Sequence, residues 1–115
     1  MIDKEIFKEN FKYYDNEVIV QIMDIFLGEY AGNLEVIQKS ILELDYITLN
    51  HKAHGLKGVV AYMSEELSEL CQELETKGKE NNGNGLQPVF DQLKVGILEL
   101  VEDLVSLRKE YAIQN

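Results

Sequence analysis

The sequence predicts an all-α protein: an antiparallel up-down-up-down four-helix bundle with a short additional helix at its N-terminus. Three observations lead there. Apolar residues recur at steps of three and four through most of the 115 residues, which is the period of one helix face. Residues able to cap helices, namely Asp3, Asp15 or Asn16, Asp45 and Ser64, stand just ahead of those stretches. Glycine is sparse outside one short segment and there is a single proline, so the repeated turn signals of an all-β domain are missing. A chain of this length accommodates one hydrophobic core, and we expect one domain over residues 1–115 with the bundle core at about 16–112.

Asp3 caps a predicted short helix over residues 4–10, with Ile6, Phe7 and Phe11 as a small apolar face that lids the bundle. From Asp15 or Asn16 a long helix follows. Its inner face is Ile19, Ile22, Phe26, Tyr30, Leu34, Ile37, Ile41 and Leu44, and Gly28 and Gly32 predict a bend or a close helix contact within it. Asp45 caps the next helix, in which Leu49, Ala53, Leu56, Val60 and Met63 lie along one side. Ser64, followed by Glu65 and Glu66, puts a cap and two acidic residues at the positive end of another helix, lined inside by Leu67, Leu70, Cys71 and Leu74. Residues 78–88, with Asn81-Asn82-Gly83-Asn84-Gly85, predict a mobile loop, because Gly and Asn both tolerate left-handed backbone angles. Phe90, Leu93, Ile97, Leu100, Leu104, Leu107 and Tyr111 define the last helix. The Tyr13-Tyr14 pair is expected to pack between the first helix and the bundle.

Composition excludes several function classes. A formal net charge of -10 repels polyphosphate, because such binding depends on Lys and Arg displacing counterions. Neither nucleic acid nor direct membrane contact is expected. No apolar run approaches the roughly 20 residues that span a bilayer, and Met1-Ile2-Asp3-Lys4-Glu5 does not form a signal sequence. With one cysteine, Cys71, there is no internal disulfide. The expectation is a cytoplasmic monomer. Cys71 falls on an inner helix face and is read as a small buried hydrophobe.

Chemistry concentrates in His51-Lys52-Ala53-His54-Gly55-Leu56-Lys57-Gly58-Val59-Val60-Ala61. On a helix, His54, Lys57, Gly58 and Ala61 cluster roughly 120° away from the apolar side formed by Leu49, Ala53, Leu56 and Val60. His54 is therefore expected in solvent. One turn beyond it stand a cation, a residue without a side chain, and a methyl group. An imidazole nitrogen needs little activation near neutral pH to attack phosphorus. Lys57 can offset charge on a transferred group's oxygens, and Gly58 clears the path for an approaching protein. Each mid-helix glycine sacrifices about 1 kcal/mol of helix propensity, which suggests that close approach is favoured over propensity.

The segment His54-Gly55-Leu56-Lys57-Gly58 resembles the His-x-Leu-Lys-Gly motif of the histidine-containing phosphotransfer (HPt) family of two-component phosphorelays. The resemblance extends to Ala53, Leu67, Cys71 and the Leu74-Glu75 pair, and covers most of residues 16–110. It implies a four-helix bundle without kinase activity or a cofactor of its own. It further implies that His54 takes a phosphoryl group on Nε2 from an aspartate of one receiver domain and passes it to another, with Lys57 stabilising the phosphate and Gly58 admitting the receiver. The partners so implied are receiver domains of response regulators or hybrid histidine kinases. Val59, Val60 and Ser64 depart from residues frequent in the family, and Val59 and Tyr62 are placed to influence which receivers fit.

A competing reading is a helical interaction module that binds a receiver or another signalling protein without being phosphorylated. His51 lacks a lysine three residues on and is read as a solvated flank. His51 and His54 are spaced as two metal ligands, yet no Cys or further His completes a tetrahedral site, and no metal is expected. Glu65, Glu66, Glu69, Glu73 and Glu75 have the spacing of a solvated helix face.

Overall fold

The structure, a computed structural model, describes residues 2–113. Its helices are α1 (Lys4–Phe11), α2 (Asn16–Glu43), α3 (Tyr46–Val60), α4 (Glu65–Lys79) and α5 (Leu86–Ile113). No strand is present among the described residues. Each of α3 to α5 runs back along its predecessor after a short turn. Because α5 also packs on α2, the four close into a ring in which α2 and α4 each touch α3 and α5. The predicted up-down-up-down bundle is the fold found.

Helix length explains the role of α1. At 1.5 Å per residue the 28 residues of α2 and of α5 span about 42 Å, whereas the 15 residues of α3 and of α4 reach only about 22 Å. The α3–α4 hairpin therefore stops short of one end of the long pair, and α1 covers its turn. The backbone N–H of Asp3 donates to Met63 O at 2.8 Å, Phe11 stacks on Tyr62, and Phe7 meets Tyr111 edge-on. Tyr14 makes an edge contact with Phe11 of α1, but both Tyr13 and Tyr14 are exposed, so the pair does not pack between α1 and the bundle as predicted.

Three helix starts are as predicted. The Asp3 side chain accepts from the N–H of Glu5 and Ile6, Asp45 from that of Thr48, and Ser64 from that of Leu67. Along α2 the helix is unbroken, and a Cβ at Gly28 or Gly32 would meet nothing within 4 Å. The predicted close helix contact there does not exist. The inner face of α2 uses Met23 in place of Ile22, which is half-buried. Leu44 is exposed rather than buried, because it turns left-handed (φ 53°) to end the helix.

The predicted loop 78–88 shrinks to residues 80–85. Gly78 is buried inside α4, at a position where a Cβ would lie 3.0 Å from Asn50 N and from Tyr46 O. Only a glycine lets α4 approach the α3 backbone this closely. Pro88 sits in the first turn of α5, where a missing N–H costs no helical hydrogen bond. Left-handed angles fall at Asn81 and Gly85, and the Lys77 ammonium donates to Asn84 O across the turn.

The core runs the length of the bundle, from Phe7 and Phe11 through Met23, Leu49, Leu56, Leu67 and Leu74 to Phe90, Leu93, Ile97, Leu100 and Leu104. Cys71 is within it, and burial pushes its thiol up to about 12. No described helix is long and apolar enough to cross a membrane.

Candidate functional site

Packing of one side of α3 dictates what the other side presents. Leu49, Ala53, Leu56 and Val60 are buried against the other helices, so the helical period turns His54, Gly58 and Ala61 outward. The His54 side chain is 72% exposed. Lys57, on the boundary, is 24% exposed and leans toward α4. At both Gly55 and Gly58 an added Cβ would meet nothing within 4 Å. Internal packing does not demand glycine at either place.

The residue that joins this cluster from outside the motif is Glu75 of α4. Its carboxylate Oε1 lies 2.8 Å from His54 Nδ1 and 2.8 Å from Lys57 Nζ, with Oε2 3.0 Å from the same ammonium. Lys57 also donates to Gln72 Oε1 at 2.8 Å, and the Gln72 amide in turn donates to Thr76 Oγ1. The three ammonium protons of Lys57 are thus matched by three acceptors on α4. Glu75 is only 14% exposed. Its burial disfavours the charged form, but the hydrogen bonds from Lys57 and His54 outweigh that and hold its carboxyl below the ordinary range. An ionised carboxylate only accepts, so the ring nitrogen facing it carries the proton. In the neutral ring the lone pair is then on Nε2, for which the described residues supply no partner.

The sequence reading brings His54, Lys57 and Gly58 together correctly in space. It misplaces Glu75, which is not part of a solvated face. The available signal was weak: Lys57 needs an anion when half-buried, and the hairpin turn sets α3 against α4 so that a residue near the end of α4 returns to the middle of α3. His51 is exposed one turn before His54. Val60 is fully buried, Val59 packs partly on the core, and Tyr62 stacks on Phe11 under α1.

Beside the cluster, α2 and α3 leave a shallow groove lined by Ile25, Glu29, Asn33, Lys52, Gly55 and Val59. Ile25 is 57% exposed there.

The His54 imidazole thus stands on the outside of a helix, backed by a lysine and a carboxylate, with no cavity enclosing it among the described residues. The sequence profile of the Hpt domain matches residues 21–108, and the chain belongs to the Hpt domain family. Members of that family are phosphocarriers and not kinases, and they work with receiver domains; a phosphotransfer role in two-component signalling is accordingly where this chain acts. Among solved structures, histidine-containing phosphotransfer protein B (HptB) of Pseudomonas aeruginosa PAO1 has a TM-score of 0.85 at 18% identity, with 96% of each chain covered. The HPT domain of an Hpt sensor hybrid histidine kinase from Shewanella has a TM-score of 0.81 at 17% identity, covering 95% of this chain and 94% of that one. At such identities the likeness establishes the shared bundle. No curated protein sequence matches the chain.

Proposed function

We propose that this protein is a phosphorelay intermediate in which Nε2 of His54 takes a phosphoryl group from a receiver-domain aspartate and passes it to an aspartate of another receiver. The observation that carries this reading is the exposed imidazole whose Nδ1 is occupied by Glu75 while its Nε2 has no partner among the described residues. In the accepting step the Nε2 lone pair attacks phosphorus in line, the acyl P–O bond breaks, and its electrons leave with the receiver carboxylate. The donating step is the reverse on a second receiver. Lys57 supplies positive charge beside the oxygens of the transferred group, and Gly58 leaves room for the receiver's own active site. The docking surface is the face of α3 that carries His54, continued by α2 across the groove at Ile25. Small and partly apolar, it suits a transient encounter.

Incubation with a phosphorylated receiver tests this. An acid-labile, base-stable phosphate is expected on the wild type and absent from His54→Ala, with Lys57→Ala folded but slower. Labelling that persists in His54→Ala would refute the assignment. Binding without any labelling would favour an interaction module instead.

A further inference from the structure

We propose that Glu75 is a positioning residue that lets His54 receive and release a phosphoryl group without giving up its Nδ1 proton, a role that rests on the phosphoacceptor reading above. When Nε2 bonds to phosphorus and Nδ1 keeps its proton, the ring becomes a positively charged phosphoimidazolium. On donation, the receiver carboxylate attacks phosphorus, the P–N bond breaks, and its electron pair returns to Nε2. The ring then departs as neutral imidazole, with no proton gained or lost at any step. If the phosphorylated ring instead sheds the Nδ1 proton to water, it must leave as an imidazolate, a far poorer leaving group. Retention of that proton therefore decides how readily the phosphoryl group moves on.

The site holds what retention requires. Glu75 Oε1 is 2.8 Å from Nδ1, and its low exposure strengthens the attraction between a carboxylate and a cationic ring. The charged and titratable groups around His54 are His51, Lys52 and Lys57 on α3, Glu75 on α4, and Glu29 on α2 across the adjoining groove. Of the two carboxylates among them, only Glu75 touches the ring. A neutral amide would orient the imidazole equally well. Gln72 already offers an amide oxygen on the same face, yet it is spent on Lys57. The contact to the ring is instead made by a carboxylate that stays ionised throughout the neutral range, which suits charge compensation in addition to orientation.

The test uses the whole chain with 15N-labelled histidine and potassium phosphoramidate as phosphoryl donor, so that no partner protein is needed. Before phosphorylation, the ring nitrogen shifts of the wild type are expected to show Nδ1–H as the dominant tautomer, and those of Glu75→Gln a mixture. After phosphorylation, titration should show the wild-type ring keeping its Nδ1 proton to a pH about one unit higher than Glu75→Gln, the shift expected on removing one adjacent charge. Equal midpoints in the two proteins would overturn the proposal, as would a wild-type ring protonated on Nε2 before phosphorylation, a result that needs no variant to fold. In both cases phosphate on His54 would leave the relay reading standing. Failure of the wild type to take phosphate at His54 would instead bring down that reading and the role of Glu75 with it.

Discussion

A methyl group at Gly58 separates stability from access. A Cβ there would meet nothing within 4 Å, and the residue is exposed two positions before the last residue of α3. Alanine exceeds glycine by about 1 kcal/mol in a helix interior, and by roughly half of that near a fraying end. Gly58→Ala should therefore stabilise by about 0.5 to 1 kcal/mol, raising Tm by a few degrees for a chain of this size. The same methyl stands one turn from His54, with Cβ atoms about 6 Å apart. A receiver that brings phosphorus within bonding reach of Nε2 has to lay its own loops over that spot. An overpacked contact costs about 1 to 3 kcal/mol, and each 1.36 kcal/mol is about tenfold in rate. Transfer from a phosphorylated receiver should thus slow about tenfold in Gly58→Ala and further in Gly58→Leu. Labelling by phosphoramidate, which is too small to clash, should stay at the wild-type rate. Thermal unfolding and the two labelling rates are measured on the same samples. Wild-type transfer from the receiver to Gly58→Leu would refute the access role, and a destabilised Gly58→Ala would refute the open space assigned to this position.

Gly78 should behave oppositely. Its added methyl would press at 3.0 Å on the Asn50 and Tyr46 backbone, and backbone yields poorly, so Gly78→Ala should cost about 1 to 3 kcal/mol offset by at most about 1 kcal/mol of propensity. Urea midpoints check this, and a Gly78→Ala protein more stable than wild type would contradict the close approach of α3 and α4. The second expectation concerns pH. Glu75 has a folded pKa below its unfolded value near 4.5, so its contribution is fully present above that value and is lost as the pH falls through the lower folded pKa. Stability should decline on acidification below about pH 4.5 less steeply in Glu75→Gln than in wild type. Parallel stability curves from pH 6 to 3 would show that the ion pair contributes nothing.

Much of the architecture was legible because it is set by neighbours along the chain. The caps at Asp3, Asp45 and Ser64 act on N–H groups two or three residues away. The inner face of α3 follows from a period of 3.6, and with Leu49, Ala53, Leu56 and Val60 inside, His54 has nowhere to point but outward. The loop was harder. Asn and Gly mark its left-handed turns at Asn81 and Gly85, but Gly78 and Pro88 carry the same local signal and sit in helices, one for close packing and the other in a first turn. On α2, local pattern does not choose between Ile22 and Met23, which are adjacent and both apolar. The rotation that buries Met23 is decided by the helices around it.

By itself, then, the sequence determined an all-helical chain, the order of its helices, and an outward histidine followed one turn later by a lysine and a glycine, since each of these depends on spacing within one helix. Tertiary structure alone decided that Glu75, 21 residues from His54, stands against Nδ1 and shares Lys57. That contact depends on how far α4 slides and turns against α3, which is set by the close approach at Gly78 and by side chains throughout the core. No spacing along the chain encodes that distance, so a glutamate with the pattern of a solvated face became the partner of the imidazole.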